Sequence, residues 1–127
     1  MSGFKTFEDI VAWQKARVLC NEVYRISNQG NFAKDFELRN QSRRAAISVL
    51  SNIAEGFERQ TKKEFYQFLH IAKGSCGEMR AQSYVALDQN YITQEEFATL
   101  VKLMNDVINL LGGLIINIRK QIEHVSN

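Results

Sequence analysis

Apolar residues return at steps of three and four along nearly the whole chain, the spacing that gathers side chains on one face of an α-helix. Ile10, Trp13, Ala16, Cys20 and Val23 trace such a face. They follow Thr6, which reads as an N-cap with Glu8 and Asp9 in its first turn, so a first helix is expected over about residues 7–27. Asn28-Gln29-Gly30-Asn31 is turn chemistry, and Asp35 is placed to cap a second helix over about residues 36–58 that carries Leu38, Ala45, Val49, Ile53 and Phe57. Thr61 with Glu64, and Thr93 with Glu96, read as capping boxes, in which hydroxyl and carboxylate each satisfy a backbone amide. The first opens a third helix reaching about Gln89, with Phe65, Phe68, Leu69, Ala72, Cys76, Met79, Ser83 and Ala86 on one face; the second opens a fourth reaching about Glu123. Four amphipathic helices with short connections predict an all-α fold, an antiparallel up-down-up-down four-helix bundle with residues 1–127 in one domain.

Two details exceed what a simple bundle needs. The fourth helix carries a heptad seam, Phe97, Val101, Met104, Ile108, Leu111, Ile115, Ile118 and Ile122, and beside it a second stripe, Leu100, Leu103, Val107, Leu110 and Leu114. Together they cover about 160° of the helical wheel, where a bundle helix needs an apolar face only somewhat wider than about 100°. The surplus stripe is expected to meet another copy of the chain. In the third helix Gly74 and Gly77 bracket Ser75 and Cys76. Glycine costs about 1 kcal/mol relative to alanine inside a helix, so a close approach by a neighbouring helix is expected there.

Composition adds one global and one local fact. The chain has no proline, in keeping with long uninterrupted helices. Its net charge of +2 is too mild to demand a nucleic-acid partner, but the charge is uneven: Arg39, Arg43, Arg44, Arg59, Lys62 and Lys63 lie in the second helix and the turn after it, and between Arg39 and Lys63 the only acids are Glu55 and Glu58. Arg39 and Arg43 stand four residues apart on one face, which allows phosphate contacts to RNA or DNA. Phe57, at a core position, is the one aromatic residue between these cations, so base stacking has little to work with and binding is expected to be electrostatic and indifferent to sequence. The rival reading is a protein-interaction module with no nucleic-acid role.

Candidate chemistry is sparse. Di-metal bundles use Glu-x-x-His pairs, but His70 follows Gln67 and His124 follows Gln121 at that spacing. There is no Gly-rich phosphate loop and no GxSxG elbow, so neither enzyme activity, nor a metal, nor a cofactor is expected. Glu55 and Glu78 are expected to anchor polar contacts between helices. Cys20 and Cys76 lack CxxC spacing and read as buried, reduced thiols. The N-terminus shows no secretory-leader pattern, and the apolar run from Leu110 to Ile116 is far shorter than the roughly 20 residues of a membrane span, so a cytoplasmic, non-membrane protein is expected.

The segments RRAAISVLSNIAEGFER (residues 43–59) and KKEFYQFLHIAKGSCGE (residues 62–78), with DIVAWQKA (residues 9–16) and Val23-Tyr24, resemble the four-helix-bundle family named after proteins encoded in intervening sequences of bacterial large-subunit ribosomal RNA genes. Leu50 stands where many relatives carry proline. The resemblance implies an antiparallel bundle assembled into a pentameric ring. It also implies a fold similar to the accessory variability determinant of diversity-generating retroelements, a basic pentamer that binds reverse transcriptase and nucleic acid. By that analogy the partners are other copies of the chain and RNA, DNA or a nucleic-acid-processing protein. No catalytic residues come with the resemblance.

Overall fold

The computed structural model describes residues 3–126. A 3-10 turn, Phe7–Asp9, precedes four helices: α1 (Val11–Ser27), α2 (Phe36–Glu58), α3 (Lys62–Asp88) and α4 (Gln94–Ser126). No strand occurs among the described residues. Each helix packs on two others, in the order α1, α2, α3, α4 and back to α1. All four feed one hydrophobic cluster, whose fully buried members include Leu19, Ile53, Leu69, Met104, Leu111 and Ile118.

The caps explain most boundaries. Asp35 Oδ1 accepts the Leu38 amide at 3.0 Å and starts α2. Thr93 Oγ1 accepts the Glu96 amide at 3.1 Å while Glu96 Oε1 accepts the Thr93 amide at 2.9 Å, a reciprocal box. At α3 the box is different: Thr61 Oγ1 accepts the Glu64 amide but donates its own proton to Glu64 Oε1. The start of α1 departs further from the expected helix. Asp9 turns its carboxylate back onto the Lys5 and Thr6 amides, and Ile10 is extended (φ −77°, ψ 118°) with its side chain buried, so the α-helix begins only at Val11. Asn90 takes the left-handed conformation (φ 62°) in the α3–α4 turn, which asparagine tolerates better than most residues.

That turn is fastened to the start of α2. Tyr91 stacks on Phe32, and its hydroxyl donates to Asp35 Oδ2 at 2.9 Å. The hydrogen bond to Asp35, with some desolvation and the nearby negative charge, holds the Tyr91 phenol above its ordinary range. A phenol raised in the folded state contributes stability that is complete below its unfolded pKa, near about 10, and is lost as pH rises through the folded value. Urea midpoints should therefore fall as pH rises above about 10 in the wild type, and fall less in Tyr91→Phe. Equal alkaline loss in both proteins would show that this bond carries no such linkage.

Three sequence expectations change. Leu100 and Val107 do not belong to a surplus stripe, since they are 2% and 0% exposed inside the chain's own core. The buried line on α4 runs Leu100, Met104, Val107, Leu111, Ile115, Ile118, taking members from both stripes because α4 packs between α1 and α3. Gly74 and Gly77 are not at a close approach: nothing lies within 4 Å of where a Cβ would stand on either. The tight contact is at Gly56, where a Cβ would come within 2.6 Å of Phe68 Cβ and 2.9 Å of a Phe65 ring carbon. Finally, α4 over Gln94–His124 is, by length and composition, long and apolar enough to cross a membrane, which the short Leu110–Ile116 run did not suggest. The most buried of its apolar side chains are those packed in the bundle, while Lys102, Asn105, Asn109 and Lys120 are exposed.

Candidate nucleic-acid interface

Helix α2 carries its cations to two places. Arg39, Arg43 and Arg44 lie on its N-terminal half, whereas Arg59, Lys62 and Lys63 surround the turn into α3. Arg43 and Arg59 are separated by about 24 Å along the helix axis at about 1.5 Å per residue, so the expected single patch is two.

In the turn cluster one of the three cations, Arg59, is ion-paired. Arg59 pairs with Glu55 at 3.1 Å, lies 3.9 Å from Glu64, and covers the Phe68 ring at 4.9 Å. Lys62 and Arg59 line a recess of the α2–α3 turn with Phe4, Phe57, Thr61 and Phe65. Lys63 is exposed.

The other cluster has no ion pair among the described residues. Two of its guanidinium groups are held by neutral partners instead. Arg43 Nε donates to Ser27 Oγ at 2.9 Å, and the guanidinium lies 4.6 Å from the centroid of the Tyr24 ring, both partners coming from α1. Arg39 donates to the Ala33 carbonyl at 3.0 Å and to Asn40 Oδ1 at 3.2 Å, with its guanidinium over Phe36 at 4.7 Å. Arg44 is exposed beside them. A cation over an aromatic ring keeps its full charge, so these contacts restrain the guanidinium groups of Arg39 and Arg43 without neutralising them.

Tyr24, Ser27 and Phe36 are the residues the sequence reading missed. Phe36 stands three residues before Arg39 on α2 itself, whereas Tyr24 belongs to α1 and reaches Arg43 only because α1 packs on α2. The available signal was their phase: both are aromatic yet out of step with the apolar core of their helices, and they remain 39% and 62% exposed.

Elsewhere the geometry offers little chemistry. No group of three or more His, Cys, Asp or Glu gathers as a metal site among the described residues. Cys20 and Cys76 are free and buried; burial pushes the Cys76 thiol up to about 11 and raises Cys20 as well, which disfavours the reactive thiolate. Glu55 bonds Arg59 within its own region of surface and Glu78 is exposed, so neither anchors a contact between helices as expected. The polar contact between α2 and α3 is instead Ser48 Oγ to Ser75 Oγ at 2.9 Å.

The model of the 23S rRNA-intervening sequence protein family matches residues 8–113, which includes the arginine cluster and both aromatic partners. The chain belongs to that family. Among solved structures, this family member is similar to a protein of unknown function from the S23 ribosomal protein family of Bacteroides thetaiotaomicron, with a TM-score of 0.77 and 23% identity over 83% of this chain and 95% of that one. At that identity the likeness concerns the fold. No curated protein matches the chain.

Proposed function

We propose that this protein is a non-enzymatic, cytoplasmic binding or scaffold protein, an antiparallel up-down-up-down bundle that assembles with copies of itself and holds RNA or DNA through phosphate contacts. The carrying observation is the group Arg39, Arg43 and Arg44, whose positive charge makes no ion pair with a carboxylate among the described residues. Antiparallel packing is supported where α2 meets α3: Gly56 adjoins Phe65 and Phe68 while Ser48 bonds Ser75, so numbering falls on one helix as it rises on the other. The binding reading is tested by titrating labelled single- and double-stranded RNA and DNA against the protein at low salt and again at physiological salt. Binding that weakens steeply with salt supports it; no binding at low salt overturns it.

Self-assembly, with five copies expected from the family resemblance, is supported by apolar side chains that the bundle leaves uncovered. Of the stripe on α4, Leu110 is exposed and Leu103 and Leu114 are half-buried. Leu110→Glu should convert a multi-subunit particle into smaller species in light scattering at micromolar concentration, because the new carboxylate would be buried without a partner. A wild type that scatters as a monomer would remove the assembly altogether. The protein-only reading has one observation in its favour, the outward face of α3, where Ile71 and Val85 are 52% and 46% exposed. If assembly survives Leu110→Glu but not Val85→Glu, the copies meet on α3.

A further inference from the structure

The arginines of α2 are presented differently from an ordinary basic surface. On a solvated helix a guanidinium swings freely and offers a point of positive charge, whereas Arg43 is fixed from two sides. Ser27 Oγ accepts from its Nε, and Ser27 is itself fully buried and donates to the Tyr24 carbonyl. Its guanidinium carbon lies over the Tyr24 ring, 4.6 Å from the centroid, and that ring remains 39% exposed. Asn40, Arg44 and the 41% exposed Ile47 complete a shallow recess around this pair, and a second recess, running toward Asn28 at the end of α1, shares Tyr24 and Arg43. Arg39 over Phe36 repeats the arrangement one helical turn away, about 6 Å along the axis.

We infer that the α1–α2 groove at Tyr24 and Arg43 is a stacking site for unpaired nucleobases, so that the protein prefers single-stranded nucleic acid to duplex. The inference rests on the nucleic-acid reading above and corrects the expectation that stacking has little to work with. Unpaired bases stack on aromatic rings and on guanidinium planes, and their phosphates are drawn by the same uncompensated charge. In a duplex the base faces are already occupied by their neighbours, which leaves only the phosphates to bind. Because Arg43 is held in place before binding, little side-chain freedom remains to be lost when a base settles on it. Arg39 over Phe36 offers a second surface at a distance that adjacent nucleotides of a flexible strand can bridge.

The experiment compares four ligands of equal length by fluorescence anisotropy at low salt: single-stranded RNA, single-stranded DNA, duplex DNA, and an abasic deoxyribose-phosphate strand that keeps the charges and lacks the bases. Wild type is expected to bind the two base-containing strands at least about fivefold more tightly than the abasic strand, the least that one stacked base provides. Arg43→Lys retains the charge and loses the plane, and Tyr24→Ala removes the ring. Both should weaken single-strand binding by about fivefold or more while changing duplex and abasic binding less than about twofold. Tyr24→Phe keeps the ring and should behave as wild type. Circular dichroism and light scattering confirm that each variant retains its helices and assembly. Equal binding of base-containing and abasic strands, or an Arg43→Lys protein that binds single strands as well as wild type, overturns the stacking site and leaves electrostatic binding standing. Failure of wild type to bind any of the four overturns both.

Discussion

Gly56→Ala is expected to destabilise the bundle and Gly77→Ala to stabilise it, although both replace glycine with a better helix former. The propensity gain is about 1 kcal/mol at either position, so the sign is decided by what the new methyl meets. At Gly56 it would stand 2.6 Å from Phe68 Cβ and 2.9 Å from the Phe65 ring. Phe68 Cβ cannot swing aside as a side-chain tip can, so α2 and α3 would have to part. Overpacking of this kind costs about 1–3 kcal/mol, and contact at the root of a side chain puts Gly56 at the upper end, leaving a net loss of about 2 kcal/mol. At Gly77 nothing lies within 4 Å, and the gain should appear almost whole. Urea denaturation of both variants beside wild type reads the two signs directly. A Gly56→Ala protein as stable as wild type would mean that the helices separate at no cost. A destabilised Gly77→Ala would mean that the open face of α3 is covered in the assembled protein, which light scattering on the same samples would detect.

The glycines also show what the sequence could and could not reveal. Gly56 continues the buried series Leu38, Ser42, Ala45, Val49, Ile53, so its inward position was readable from phase, but the closeness of Phe65 and Phe68 depends on how two helices meet. Gly74 and Gly77 were singled out because they are unusual in a helix, yet they are out of phase with Ala72, Cys76 and Met79, and phase is what decides burial. Thr61 and Thr93 fixed the starts of α3 and α4 because a cap is local chemistry within four residues. The beginning of α1 was not readable in the same way, since Ile10 leaves helical geometry as its side chain enters a core built by residues far along the chain. The α4 stripe failed for a related reason: counting the width of an apolar arc does not say which of its edges two neighbouring helices cover. For the site, charge was legible and presentation was not. Arg43 could be counted from the sequence, but its seat on Tyr24 and Ser27 is a pairing across two helices.

Replacing Arg39, Arg43 and Arg44 together with glutamine should weaken nucleic-acid binding by roughly tenfold or more at low salt and make what remains less sensitive to salt. Each phosphate neutralised contributes about 0.9 to the slope of log affinity against log salt for duplex DNA and about 0.7 for single strands. Loss of three contacts should therefore flatten that slope by about 2 to 3 for each engaged subunit. Repetition of the patch in an assembly would enlarge the effect, because weak contacts on linked copies act at high effective concentration. The comparison variant is Lys62→Gln with Lys63→Gln, which alters the other cluster about 24 Å away along α2. The two lysines lie outside the α1–α2 groove, so the double variant should change the slope by less than about half as much. Circular dichroism and light scattering check that both variants keep their helices and particle size, a control the arginine variant needs because Arg43 also bonds the buried Ser27. If the lysine variant loses more affinity than the arginine variant, the phosphates run over the α2–α3 turn instead. If both retain the wild-type slope, the protein binds through neither cluster, and the exposed apolar face of α3 becomes the surface on which to look for a protein partner.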